Sequence, residues 1–456
     1  MKKSTYHFLQ LILGCMLFSS CDKYLEIAPK GTTLLTTVED YDQWLNAQDL
    51  VTGVGAPLCA LNYLGDNYDL VNITNPATQV GEMIYLWQPQ FSPMLNVAPM
   101  FWGEHYAKIN LYNTVLVGID NATGGTQSRI RALKAEALLG RAFEYFYLVN
   151  EYAQPYDAAS ASTELAVPFV TSNDVTQTVP PRSTVAEIYS YIMSDIEAAL
   201  PNLPDDNSRN RFRGSKASAY SVLARLYFYA RNYPEAQKHA QLAIDQGRAT
   251  MINLNGPLPT SNLVSVRSDV IYGRTVPGLA TPTLDFMNTF RSNDRRIRTY
   301  YFSRDGYQFI TRDATRFMPS DVVPVLGNTN TGTSLPEMKL IVAECAARGG
   351  NLELALRHLD EIRRNRFPED DYEPFVSTDP ELVLQEVLLE RLHELPFNGL
   401  RWFDMRRLKA DGRMPAVHRY NAIGEVIATL QPDSERYTLQ IPLQVLNYNP
   451  NMPQNP

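Results

Sequence analysis

Residues 213–247, RGSKASAYSVLARLYFYARNYPEAQKHAQLAIDQG, contain two helical patterns separated by a turn at Asn232-Tyr233-Pro234. Ala224 stands twelve residues before Ala236 and Ala236 seven before Ala243, with Tyr227 between them. Small side chains at such intervals mark where two helices cross, because a methyl group lets the axes approach. The twelve-residue interval recurs from Ala343 to Ala355 in 338–366, MKLIVAECAARGGNLELALRHLDEIRRNR, with Gly349-Gly350 as the turn. A single pair cannot bury its apolar face alone, so several pairs are expected to stack.

These spacings match the tetratricopeptide helix-turn-helix unit. Working outward, 102–117 and 128–150 are strongly helical, and the second stretch carries closely spaced Ala and Gly that suit close helix contact. A helix over 184–200 starts on Ser183 or Thr184 as cap and stops before Pro201. The stretch 380–409 is a looser candidate. Near the start, Thr37 followed by Asp40 forms a cap, and Val38, Tyr41, Trp44 and Leu45 share one face. Trp44 and Trp102 read as core. Between these helices, 51–99, 151–183 and 250–335 are rich in Pro and Gly or in polar residues and read as irregular insertions. Within them, 83–87 would, if extended, put Tyr85 and Trp87 on one side. RTYYFSRDGYQFI, 298–310, reads as a hairpin turning tightly on Asp305-Gly306, and 436–456 as a short extended piece and coil. The expected fold is mainly α: tetratricopeptide-like helix pairs over about 102–150, 184–247 and 336–410 forming a curved scaffold, with large irregular insertions and a few short strands. One domain is expected over 21–456.

Residues 1–20 read as an export signal. Lys2 and Lys3 precede an apolar run, Phe8 through Phe18, too short to span a bilayer, and Ser19-Ser20 lead into Cys21. That is how a bacterial lipoprotein signal reads, with Cys21 as the acylated residue. The alternatives are a plain secretory signal or acylation at Cys15. No other run is apolar enough to cross a membrane, so the mature chain is expected to hang from its lipid. The formal charge of −8 becomes −10 once the two signal lysines leave, and no long basic run exists, which argues against nucleic acid as a partner. Cys59 and Cys345 read as separate buried thiols.

Taken together, several segments carry a family likeness. CDKYLEIAPKG at 21–31, KAEALLGRAFEYFYLVNEYAQP at 134–155, RGSKASAYSVLARLYFYARNYPEA at 213–236, 337–366, LLERLHELPFNGLRWFDMRRL at 388–408 and IPLQVLNYNPNMPQNP at 441–456 resemble, in order and spacing, the SusD/RagB-type nutrient-binding lipoproteins of Bacteroidetes. Leu395-Pro396 departs from that family's pattern, and the chain is somewhat short for it. The resemblance implies a surface-facing outer-membrane lipoprotein that captures a nutrient, commonly an oligosaccharide and in the RagB branch a peptide. It implies a partner, a SusC-type TonB-dependent barrel transporter on which the protein sits like a lid. It implies no catalysis and no cofactor.

The residues themselves point the same way. His393-Glu394 lacks the second His of a zinc-protease helix, and the nucleophile-elbow and phosphate-loop motifs are absent. Glu390 and Glu394, near Arg391, read as solvated or structural ion pairing, while Arg401, Arg406 and Arg407 belong to the stretch that resembles the family and read as helix-packing and ion-pair residues, with transporter contact as the alternative. Pro368-Glu369-Asp370-Asp371 lacks the spaced oxygens of a calcium loop. A sugar ring needs a flat aromatic face with polar groups at its rim. Tyr63, Tyr68, Tyr85 and Trp87, all in the first insertion, are the candidate platform. A transporter lid with no ligand site of its own is the other reading.

Overall fold

The computed structural model describes residues 35–52, 59–259, 263–277, 279–318 and 328–456. The signal, Cys21 and the segment after it lie outside the described residues.

The described helices are, in order, α1 (Val38–Trp44), α2 (Gln48–Val51), α3 (Val80–Tyr85), α4 (Trp102–Gly118), α5 (Gln127–Tyr152), α6 (Val185–Ala199), α7 (Lys216–Tyr229), α8 (Tyr233–Gln246), α9 (Leu284–Met287), α10 (Arg295–Tyr300), α11 (Leu335–Arg348), α12 (Leu352–Arg363), α13 (Pro380–Glu394), α14 (Arg401–Ala410) and α15 (Leu443–Tyr448). The scaffold runs α4 on α5 on α6, then α7 on α8 on α11, with α12 and α13 packed on α11. The two pairs that the alanine spacing pointed to are closed by the same device. A left-handed residue, Arg231 in one and Gly350 in the other, precedes an Asn whose side chain caps the second helix. Asn232 accepts from the Glu235 amide and Asn351 from the Leu354 amide. Ala224, Ala236, Ala243, Ala343 and Ala355 are all fully buried at the crossings. Thr37 and, of the two candidates, Thr184 are the caps, and each closes a full capping box with the acid three residues on.

Among the described residues, ten short strands form five separate antiparallel ladders and no barrel: β1 (Leu165–Pro168) with β2 (Arg182–Thr184), β3 (Val270–Tyr272) with β8 (Thr333–Ser334), β4 (Thr275–Pro277) with β7 (Asn328–Asn330), β5 (Tyr301–Ser303) with β6 (Thr315–Phe317), and β9 (Val417–Tyr420) with β10 (Val426–Leu430). Three local expectations change. The stretch through Met83 to Tyr85 is helix, because Gln79 and Glu82 cap each other and Glu82 also accepts from the Thr74 and Thr78 amides. The hairpin at β5 and β6 has the long connection 304–314 rather than a two-residue turn. Residues 443–448 are helix α15 rather than coil.

Buried arginines join the insertions to the scaffold. Arg225 of α7 grips Glu337 of α11 through two bonds of 2.8 and 2.7 Å and donates to the Gly332 carbonyl. Arg296 of α10 meets Asp294, Glu390 and Glu394, while Arg363 and Arg366 close on the same two glutamates of α13. Arg391 and Arg407 share Asp404, and Arg407 also holds Glu344. Arg401 holds Asp66, and Arg406 donates to the Asn150 and Ala153 carbonyls. Pairs this deeply buried lock the arrangement of elements: removing one partner costs about 3–5 kcal/mol, whatever their net contribution. Cys59 and Cys345 are separate, buried and free. Burial pushes the Cys59 thiol up to about 12.

Candidate ligand-binding site

The four aromatics proposed as a platform do come together, around Arg419 of β9. Its guanidinium carbon lies 4.1 Å from the ring centres of both Tyr85 and Trp87. The same group donates to the carbonyls of Tyr63, Gly65, Tyr68 and Tyr85 at 2.9–3.2 Å. A cation held by rings and carbonyls, with no carboxylate bonded to it, is strongly desolvated, and burial lowers the Arg419 pKa to about 10. Trp87 donates to the Leu64 carbonyl, Tyr85 donates to Asp69, and Tyr68 packs 4.5 Å from Tyr63. Trp87, Tyr85 and Tyr68 are 3%, 1% and 7% exposed, so their faces are covered rather than offered. The expected open platform is in this respect a packed wall. Sequence reasoning had no view of Arg419, more than 330 residues further along the chain.

One side of that wall opens into a cavity of about 540 Å³, to which Tyr85 contributes. Besides Leu392 of α13, which the scaffold supplies, the other walls come from 66–69, from Thr283, α9 and Thr289, from Arg312, and from 415–424 around the β9–β10 turn. Apart from Leu392, these segments lie outside the helix pairs. Asp69 is gripped by Arg312 at 2.9 and 2.7 Å, and Arg312 also reaches the Asn421 and Tyr420 carbonyls. Asp66 is closed by two bonds of 2.6 Å to Arg401. Tyr420 remains as an aromatic ring 37% exposed at the rim. Asn67 is 3% exposed, and its amide nitrogen has no partner among the described residues.

Arg312 is presented by a strained connection. Tyr307, Phe309 and Asp313 have positive φ of 65°, 52° and 65°. Such conformations persist only when their surroundings over-determine them, and they cluster at functional sites. Here Asp305 accepts from Ser303 and from the Ile310 and Thr311 amides, Asp313 pairs with Arg304 and Arg316, and the Arg298 guanidinium lies 3.7 Å over Tyr307. The result is a stiff pocket with hydroxyl-compatible donors and acceptors around an aromatic edge. It holds no nucleophile–base pair, and among the described residues no group of three or more His, Cys, Asp or Glu is placed to hold a metal. His393 stacks 4.0 Å from Phe290 and bonds Thr289, a structural role.

A larger cleft, about 1100 Å³, lies between α4, the segment 169–180 and Val445–Met452. Trp102 lines it while packing on Tyr106 and Tyr152, and is only 7% exposed, as a core residue should be. Arg312, Asp69, Asn67 and Tyr420 were missed by sequence reasoning. Asp69 and Arg312 stand 243 residues apart in irregular segments, with no spacing that announces a partnership.

Two family profiles match the chain: one described as starch-binding associating with outer membrane over residues 48–228, and one described as the SusD family over 335–456. Together they cover well over half of it. A SusD-like protein of Bacteroides ovatus is 24% identical over 228 residues, 48% of this chain and 38% of that protein. SusD-like protein P2 of Formosa agariphila is 29% identical over 148 residues, 32% of this chain and 26% of that protein. The matched stretches thus span less than half the length of these relatives. A SusD superfamily crystal structure from Bacteroides thetaiotaomicron superposes with a TM-score of 0.75 at 20% identity, covering 92% of this chain and 100% of that one. Surface glycan-binding protein A from Bacteroides uniformis superposes with a TM-score of 0.70 at 17% identity, covering 92% and 99%. At these identities the structural likeness speaks for the fold.

Proposed function

The chain belongs to the SusD/RagB family, and from that premise we propose that it is an outer-membrane lipoprotein that captures an oligosaccharide and passes it to a SusC-type TonB-dependent barrel transporter. The observation that carries the ligand is the 540 Å³ cavity, in which the exposed Tyr420 ring stands beside polar groups already held in place. The ring offers a face to sugar C–H groups, and the unpartnered Asn67 amide offers a donor to a hydroxyl. Tyr85 would back the wall by holding Asp69, with Tyr63, Tyr68 and Trp87 positioning that wall through Arg419. Binding without turnover is the expected activity, since the cavity holds no catalytic set. Among the described residues no helix is long and apolar enough to cross a membrane, which is compatible with a lipid on Cys21 as the attachment.

Calorimetry of the domain after Cys21 against a panel of oligosaccharides tests the ligand. Heat of binding to at least one glycan, lost in Tyr420→Ala, is expected; heat with peptides alone would replace the glycan by the peptide reading. That second reading has an observation of its own. The 1100 Å³ cleft is lined by the irregular segment 169–180 and by apolar Trp102, Val170, Val179 and Met452, a shape that suits an extended chain. If neither ligand class binds, the protein is a lid without a site.

A further inference from the structure

The charges around the 540 Å³ cavity limit what kind of sugar it can hold. Arg312 is the only Lys or Arg among the described residues lining it. Four guanidinium N–H bonds are in use: two to Asp69, one to the Asn421 carbonyl and one to the Tyr420 carbonyl. One N–H remains open, but a carboxylate or sulfate that paired with both arms of the guanidinium would have to displace Asp69, which is 5% exposed and also accepts from Tyr85. Displacement would leave a buried carboxylate without its cation, a large penalty. Asp66 is likewise closed by Arg401, and His418 is engaged with Thr429.

Two further lining groups are unengaged. The Asn67 amide nitrogen is a buried donor with no partner among the described residues. The Asp285 carboxylate, exposed at the start of α9, has no hydrogen-bond or ion-pair partner among them either. A neutral donor and a free negative charge suit a hydroxyl that accepts from one and another that donates to the other. They repel a second anion.

We propose that this cavity takes uncharged oligosaccharides and excludes those bearing uronate or sulfate groups, with the Asp69–Arg312 pair as the determinant and Asp285 as its reinforcement. The proposal rests on the reading of the cavity as the glycan site. Asp69 then serves to keep the one arginine in the wall from recognising anions.

The experiment titrates the intact mature protein, at low salt, with matched neutral and uronate-containing oligosaccharides, alongside Asp69→Asn, Asp285→Asn and Tyr420→Ala. The parent is expected to bind the neutral series at least about tenfold more tightly than the uronates. Asp69→Asn keeps the side-chain shape, removes the charge that balances Arg312 and should reverse the preference. Asp285→Asn, an exposed change that leaves folding untouched, should narrow the gap by a few-fold even if the first variant is too unstable to titrate. Uronates bound as tightly as neutral sugars by the parent, with Tyr420→Ala abolishing both, would overturn the charge inference and leave the site standing. Neutral binding unaffected by Tyr420→Ala would overturn the site itself, and the inference with it. No binding of either series would overturn both.

Discussion

Arg419 shows how one residue organises the ligand side. Its guanidinium is sandwiched between Tyr85 and Trp87 and bonded to four carbonyls from the 63–85 segment, so it takes the place of secondary structure in a region that has little. Arg419→Met should lower unfolding stability by about 3–5 kcal/mol, because buried carbonyls lose their donor. Arg419→Lys should recover little of it, since an ammonium lacks the planar fork and the stacking face. Urea denaturation of the three proteins measures both. Two histidines carry opposite pH signatures. His105 lies between Glu144 and Glu151, fully buried, and these carboxylates raise its pKa to about 9 against desolvation. The stabilisation it confers is therefore complete below the unfolded value near 6.5 and is lost as pH rises through about 9. His393 is held neutral, its pKa lowered to about 3 by burial and by Arg296, so stability is full above about 6.5 and falls as the pH drops from there toward 3. In urea titrations, the gap between the parent and His105→Gln should close above about pH 9. The gap between the parent and His393→Gln should close, or change sign, as the pH falls below about 6.

At the scale of elements, helix contact depends on missing side chains. A Cβ on Gly140 of α5 would lie 2.2 Å from the Tyr112 ring of α4, and Tyr112 has no room to move because it is buried and bonded to Arg274. Alanine is the better helix former by about 0.8–1 kcal/mol. Gly140→Ala should nonetheless destabilise, because overpacking of about 1–3 kcal/mol or more outweighs propensity. A raised melting temperature in that variant would show that α4 and α5 are less closely locked than described. The helix pairs were legible in the sequence since alanine spacing, caps and turn residues are local signals, as at Ala224, Asn232 and Ala236. The site was less so. Met83 to Tyr85 became helix through a cap at Gln79 and Glu82, and the platform aromatics were turned inward by an arginine from a distant hairpin. Asp69 and Arg312 meet only because separate insertions fold against each other.

Across the described residues, stacked helix pairs form a scaffold, and buried arginine–carboxylate pairs fix the insertions on one another and on α13. The strained 304–314 connection and the β9–β10 turn then meet at Arg312 with little freedom left, which favours binding without large rearrangement. The proposed lipid attachment at Cys21 predicts a mature N-terminus carrying acyl chains, readable by mass spectrometry of membrane-extracted protein; an unmodified terminus would remove the anchor, and a lipid on Cys15 would move it. Hydrogen exchange of the mature protein, with and without a saturating oligosaccharide found by calorimetry, tests the central claim most directly. Added protection is predicted at 66–69, 283–289, around Arg312 and at 415–424, with 102–111 and 169–180 unchanged. Protection confined to those last two segments would contradict it, placing the ligand in the larger cleft instead.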